Sequence, residues 1–129
     1  MPSAVSRLRS HVRQNGVVVD ATVGVRPAVW AAAPTGDTPD VVPVGTINIV
    51  AFVPERLSDA ALVNAVGSVT EAKVQALHDS GHDGSGTPTD AVCVVCPADG
   101  PAHPYGGPRS RWGAPLARAV HQAVLEGCA

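Results

Sequence analysis

Aromatic residues are scarce in this chain: Trp30, Phe52, Tyr105 and Trp112 are the only ones in 129 residues. Alanine and valine must fill the core, which lowers burial per residue because apolar transfer contributes roughly 25 cal/mol per Å². Lysine is scarcer still. Lys73 stands beside eight arginines, the formal net charge is −2, and the arginines are scattered rather than gathered into the basic stripe that neutralises a phosphate backbone. Nucleic acid is therefore not an expected partner. No apolar run approaches the roughly 20 residues that cross a bilayer, and the opening MPSAVSRLRSHVRQNG lacks the continuous apolar segment of a secretory leader. No membrane association is expected, and the cytoplasm is the expected location. Three cysteines cannot all pair with one another, and a chain of this size can bury a core without staples, so thiols are expected.

With 45% hydrophobic and 16% charged residues, residues 1–129 are expected to fold as one domain with an ordinary core. Residues 3–14 are polar with sparse apolar positions and read as a short helix or a frayed arm, the first 15 residues forming a flexible N-terminal extension. GVVVDATVGV, from Gly16, is β-branched and alternating, the pattern of a strand or two short ones. Val29 to Ala33 is ambiguous, and PTGDTPDVVP, from Pro34 to Pro43, reads as a loop. VGTINIVAFVP, residues 44 to 54, is the clearest strand, closed by its proline. Ser58 is a fitting helix N-cap with Asp59 behind it. The helix that follows runs to about Asp79, with Leu62, Val66, Val69, the Lys73 stem and Ala76/Leu77 as its buried stripe and Asn64, Ser68, Glu71, Gln75 and His78 on another side. DSGHDGSGTPTD is a loop, and AVCVVCP, residues 91 to 97, reads as a short buried strand. The last helix begins around Ser110 to Ala114 and ends at Glu126, its inner face Leu116, Val120, Ala123 and Val124 and its stop Gly127. Strand, helix, strand, helix is the pattern of an α/β or α+β domain, a mixed sheet covered by helices.

Two polar loops flank the strand at 91 to 97, and open sheets place ligands beside such loops. In the first, Thr87-Pro88-Thr89-Asp90, the threonines offer hydroxyls. Asp90 directly precedes an apolar strand, where an unpaired carboxylate is costly. It serves either an Asx-type turn or the orientation of a water or an amide. As a carboxylate at a cleft edge it is the simplest general base available, with Glu71 the second candidate. Asn48, inside an apolar strand, needs partners and is either a member of a core network or a substrate-facing group. In the second loop, Tyr105-Gly106-Gly107 leads through Ser110-Arg111-Trp112 to a helix start, where backbone N–H groups can meet an oxyanion. Tyr105 and Trp112 there either cap the core or face a ligand.

Other motifs are silent. Cys93 and Cys96 are three apart in an apolar strand and so point to opposite faces, which suits core packing better than a shared metal or a disulfide. His78, His82 and His103 match no ligand spacing, and no metal or other cofactor is expected. The chain has no G-K-[ST], no G-x-S-x-G and no G-x-G-x-x-G, so nucleotide binding and a nucleophile elbow lose support.

The motifs G-T-I-N-I at 45 to 49, T-E-A-K-x-x-A-L at 70 to 77, G-T-x-T-D-A-V at 86 to 92, C-P at 96 to 97 and Y-G-G-x-x-S-x-x-G at 105 to 113 stand in an order that resembles the adenosylcobinamide amidohydrolase family. A-T-V-G-V at 21 to 25, followed by Trp30-Ala31-Ala32-Ala33-Pro34, is similar to the segment that precedes G-T-I-N there. The resemblance covers about residues 17 to 126. It implies cleavage of the amide between a corrin carboxylate and aminopropanol, releasing adenosylcobyric acid for cobamide salvage, with a corrinoid as small-molecule partner. The resemblance also implies a substantial N-terminal region, which this chain is expected to lack, and a histidine at the position where Arg109 stands.

Hydrolysis of an unstrained amide needs an activated nucleophile and donors for the tetrahedral oxyanion. Asp90 or Glu71 is expected to activate water, Thr87, Thr89 and Asn48 to position the amide, and Gly106 and Gly107 to supply backbone donors, with Tyr105 and Ser110 alongside. Thr87 or Thr89 as a covalent nucleophile is the second route. Loss of turnover without loss of fold is the expectation for Asp90→Asn. Two other classes compete with the enzyme: a relative that binds a corrinoid without chemistry, and a homo-oligomer subunit whose sheet edge is covered by another copy.

Overall fold

Asn15 and Gly16 both adopt positive φ, 51° and 86°, the conformation that a two-residue hairpin turn requires at its centre and that Asn-Gly favours. In the computed structural model, which describes residues 8–25, 27–34 and 45–128, this turn joins strand β1, Leu8–Gln14, to strand β2, Val17–Gly24, with Gln14 opposite Val17 and Leu8 opposite Val23. Residues 8–14 are thus neither a helix nor a frayed arm. Ser10 and Val12 face inward while Arg9, His11 and Arg13 are exposed, and this period-2 alternation suits a half-buried strand. The expected loop at 35–43 lies outside the described residues.

Strand β3, Thr46–Phe52, pairs antiparallel with β2, Thr22 lying opposite Asn48. Helix α1, Asp59–Asp79, then crosses to strand β4, Ala91–Val95, which pairs parallel with β3. A parallel neighbour demands a long crossover of this kind. Helix α2, Gly113–Gly127, closes the described chain by packing on β1, β2 and α1. The result is an α/β fold: a mixed four-stranded sheet in the order β1-β2-β3-β4 with two helices beside it.

Val17, Val19, Ala21, Val23, Ile47, Ile49 and Ala51 form the inner face of the sheet and are essentially without solvent contact. Alternate residues Val18, Asp20, Thr22, Asn48, Val50 and Phe52 are half-buried or exposed, so both helices lie on one face and the other is open. Asp20 on the open face is held by His11 Nδ1 at 2.7 Å. Strand β4 is an edge strand whose residues alternate between exposed and half-buried, which corrects the expectation of a buried one. Cys93 is exposed and Cys96 half-buried, both as free thiols, so neither is a fully buried core residue. Apolar composition alone does not separate an edge from a centre, because β-branched residues suit both.

Ser58 caps α1 as expected, its hydroxyl accepting from Ala61 N at 3.1 Å. The buried stripe is rotated from the expected one: it runs through Ala61, Ala65, Ser68, Val69, Ala72, Lys73, Ala76 and Leu77, while Val66 is 39% exposed. Small residues let the helix approach its neighbours closely, and Gly106 uses that space: a Cβ on it would strike Ala61 O and lie 3.1 Å from the Ala65 Cβ. The inner face of α2 is the expected one, Leu116, Val120, Ala123 and Val124, joined by Ala119. No helix among the described residues is long and apolar enough to cross a membrane.

Candidate functional site

Asp90 ends the loop that leads into β4, beside the start of β3. Its Oδ1 accepts from Ile47 N at 2.9 Å and from the Thr87 hydroxyl; its Oδ2 accepts from Thr87 N at 2.9 Å and from Lys73 Nζ at 2.8 Å. An ionised carboxylate offers about four acceptor positions, and all are filled here. The side chains of Lys73 and Asp90 are 9% and 10% exposed. An ion pair this far from water persists only when its remaining hydrogen bonds are satisfied, which the two Thr87 donors and the β3 backbone accomplish. Lys73 arrives from the buried stripe of α1, so helix, loop and two strand starts converge on one carboxylate.

Gly86 makes this convergence sterically feasible. A Cβ there would collide with Asp90 Oδ2 and stand 2.6 Å from Lys73 Nζ. Gly84 meets the same requirement two residues earlier, where a Cβ would lie 2.6 Å from Val29 N. The close approach allows Ser85 N to donate to Val29 O and Val29 N to Gly86 O, both at 2.8 Å. Thr89 sits farther round the loop. Its hydroxyl donates to Gly45 O at 3.2 Å, and its carbonyl accepts from the Thr46 hydroxyl at 3.1 Å, tying the loop to the start of β3.

A cleft of about 460 Å³ opens over this cluster, lined by Val29, Trp30, Ala31, Thr70, Lys73, Ser85, Gly86, Thr87 and Pro88. Thr87 and Lys73 stand in its wall. Thr87 presents a hydroxyl bonded to a carboxylate, and the carboxylate is oriented by an ammonium, the serial arrangement that covalent catalysis by a hydroxyl would require. Lys73 carries three donors, and among the described residues one of them is used, on Asp90.

Glu71 does not enter this cleft. It is exposed on α1 and lines a second trough, also about 460 Å³, with Trp30, Thr70, Val74, Gln75 and His78. Asn48 is half-buried rather than buried and stands on the open side of the sheet, where its amide reaches Thr22 Oγ1 at 3.4 Å. The residues of the second glycine-rich loop gather at the other end of α1. Gly106 N donates to Asn64 Oδ1 at 3.2 Å and Gly106 O accepts from Ser68 at 2.8 Å. Asn64 precedes Lys73 by nine positions, roughly 13 Å along a helix. Ser110 supports α2, its hydroxyl accepting from Gly113 N at 3.0 Å and donating to Gly107 O at 2.7 Å. Tyr105 is 71% exposed, whereas Trp112 is buried at 4% and donates to Glu55 Oε1 at 2.8 Å. That bond, reinforced by His103 Nε2 at 3.0 Å, holds the Glu55 carboxyl below its ordinary value. Arg109, at φ 71°, is exposed on the same loop.

Of the residues singled out in sequence, then, Thr87 and Asp90 meet, Thr89 buttresses them, and Asn48, Glu71, Tyr105, Gly106, Gly107 and Ser110 stand elsewhere. Sequence reasoning places Lys73 only within a helical stripe. As the chain's single lysine on the inward side of a helix it carries a signal, since an unpaired ammonium is rarely buried. No group of three His, Cys, Asp or Glu side chains that would hold a metal occurs among the described residues.

The family model described as adenosylcobinamide amidohydrolase matches residues 2–129. The chain belongs to the adenosylcobinamide amidohydrolase family. It is 40% identical over 112 residues to a Halobacterium salinarum protein named adenosylcobinamide amidohydrolase, covering 84% of this chain and 48% of that one. It is 38% identical over 92 residues to the Methanosarcina mazei protein of the same name, covering 64% of this chain and 46% of the relative. An uncharacterised protein of Methanocaldococcus jannaschii is 32% identical over 91 residues, 64% of this chain and 35% of its own length. The chain thus spans about half the length, or less, of the curated relatives it matches. No solved structure matches it. Within this adenosylcobinamide amidohydrolase family member, the segments T-E-A-K at 70 to 73 and G-T-x-T-D at 86 to 90 supply the Lys73, Thr87 and Asp90 of the cluster.

Proposed function

We propose that this chain hydrolyses the amide between the corrin carboxylate and aminopropanol of adenosylcobinamide, yielding adenosylcobyric acid. The observation that carries the reading is the Thr87 hydroxyl bonded to Asp90 in the wall of a cleft that also contains Lys73. In the reaction Thr87 Oγ1 attacks the amide carbon and its proton passes to Asp90. The oxyanion that forms faces the Lys73 ammonium. The C–N bond then breaks, the departing nitrogen takes the proton from Asp90, and a water hydrolyses the ester on Thr87 by the same proton path in reverse. The filled acceptor positions of Asp90 support this route over direct activation of water by that carboxylate. Thr89 holds the loop in place, and a cytoplasmic location completes the reading.

Incubation with adenosylcobinamide, followed by mass spectrometry of adenosylcobyric acid and aminopropanol, tests it. Product is expected from the unaltered protein, from Thr87→Ser at reduced rate, and not from Thr87→Val. Corrinoid retained without product would favour a binding relative; neither retention nor product would overturn both. A second reading, pairing of two copies through the open sheet face, is supported by Phe52 and Val95, exposed at 41% and 40%, and sedimentation equilibrium tests it.

A further inference from the structure

Trp30 is 49% exposed, yet its position is fixed from two sides. The indole Nε1 donates to Asp83 Oδ1 at 2.9 Å, and the preceding residue, Val29, is bonded through its backbone to the loop that carries Thr87. An exposed aromatic ring held in one place loses little freedom on binding a ligand, which is what makes such rings effective contact surfaces. The ring also has a particular address. Trp30 and Thr70 line both the cleft over Lys73 and Thr87 and the trough along α1, so the two concavities meet at the indole.

The trough has a chemistry of its own. Glu71, Gln75 and His78 recur at steps of four and three, which places them along one face of the helix, and all three are exposed. Glu71 accepts hydrogen bonds, Gln75 both donates and accepts, and His78 does either. Val74 and the indole supply apolar surface beside them. That combination suits a flat conjugated body edged with primary carboxamides, each of which presents donors and an acceptor together.

We propose that Trp30 and the Glu71, Gln75, His78 stripe form a positioning subsite for the amide-bearing periphery of the corrin ring, with the scissile arm reaching past the indole to Thr87. The assignment rests on the hydrolase reading of the first cleft. It gives Glu71 a binding role and makes Trp30 the hinge between recognition and chemistry.

The test separates the two readings. Binding of adenosylcobinamide is measured by calorimetry on the Thr87→Val protein, with and without Trp30→Ala, Trp30→Phe and Gln75→Ala. In parallel, KM and kcat are measured in the protein that retains Thr87. Trp30→Ala is expected to weaken binding and raise KM about tenfold, as loss of a stacking ring does, with kcat little changed. Trp30→Phe restores most of the affinity, and Gln75→Ala, an exposed helix position without folding cost, weakens binding severalfold. Turnover by the unaltered protein with the same Kd and KM in Trp30→Ala and Gln75→Ala overturns the subsite and leaves the hydrolase reading intact. A fall in kcat alone that Trp30→Phe does not rescue also overturns it. Hydrolysis that persists in Thr87→Val overturns the proposed chemistry while the subsite stands on the measured affinities. Absence of both binding and turnover in the unaltered protein removes both.

Discussion

Lys73 Nζ lies 2.8 Å from Asp90 Oδ2, joining the middle of α1 to the start of β4 where about a tenth of each side chain is exposed. The pair makes a structural and a chemical demand on the same atoms. Lys73→Met removes the cation and leaves the carboxylate with three donors in a nearly dry site. Breaking such a pair costs about 3 kcal/mol, and the urea unfolding midpoint of Lys73→Met is expected to fall accordingly; under the proposed mechanism hydrolysis is expected to be lost as well, because no ammonium would face the oxyanion. An unchanged midpoint would show that the pair contributes nothing net to stability.

Asp90→Asn has a double consequence. An amide group has a donor face, and whichever way it turns, that face meets N–H groups now directed at a carboxylate, from Lys73 and Thr87 or from Ile47. Turnover and stability are therefore both expected to fall, the latter by about 2 kcal/mol. The matching stability comparison is Thr87→Val, which loses one hydroxyl bond and about 1 kcal/mol. Chemical denaturation of the two variants side by side checks the difference.

Gly86→Ala introduces a methyl group against Asp90 and Lys73. Neither neighbour can move without losing hydrogen bonds, so the substitution is expected to cost about 1 to 3 kcal/mol and to abolish hydrolysis. The corresponding change at Gly67, where an added Cβ meets nothing, is the control and should raise stability slightly, because alanine favours a helix over glycine by about 1 kcal/mol. Thermal unfolding of both proteins decides it.

Gly16→Ala is expected to weaken the β1–β2 hairpin. The contacts a Cβ would make, 3.4 Å from Pro54 and 3.6 Å from Trp112, are ordinary ones; the penalty comes from φ 86°, which costs an L-residue roughly 1 to 2 kcal/mol. Amide hydrogen exchange should show faster opening of residues 8–24 than of α1.

Glu55 supplies a pH dependence. The Trp112 indole N–H first, and then His103, hold its carboxyl below the ordinary 4.5. A carboxylate lowered in the folded state stabilises that state above its unfolded value and loses the contribution as the pH falls through the folded value. Urea midpoints should therefore decline as the pH drops below about 4.5, and Glu55→Gln should flatten that region of the profile. A profile identical in the variant would assign the acid sensitivity to other groups, such as Asp20, which His11 lowers in the same direction.

The legible elements of this fold are those whose signal is local. β3 follows from its β-branched run, α1 from Ser58 and its period, and α2 from Leu116, Val120, Ala123 and Val124. β1 is not among them: the scarcity of large apolar side chains in residues 8–14 makes the segment read as a short helix or frayed arm, and its signals, Asn15-Gly16 and the alternation of Ser10 and Val12, gain meaning only once β2 pairs with it. The expected stripe of α1 is rotated from the observed one because Leu62 and Val66 outweigh Ala61 and Ala65 on any hydrophobicity scale. Alanine wins in the folded state because it permits closer approach, as at Gly106.

The site divides along the same line. Thr87 and Asp90 are three residues apart, so their bond is within reach of local turn chemistry, and an acidic residue before an apolar strand announces a need for partners. Lys73 is seventeen positions from Asp90, and no periodicity links them; the crossover from β3 to β4 brings α1 over the loop. The same geometry sends Asn48 to the open side of the sheet and holds Gly106 at the far end of α1. Residue type and spacing were sufficient for the kind of fold and for β2, β3, α1 and α2, and the resemblance carried by the order of several motifs pointed to the family. Which polar groups share one cleft depended on the packing of a helix across a parallel strand pair, because burial selects partners by proximity in space and not by distance along the chain.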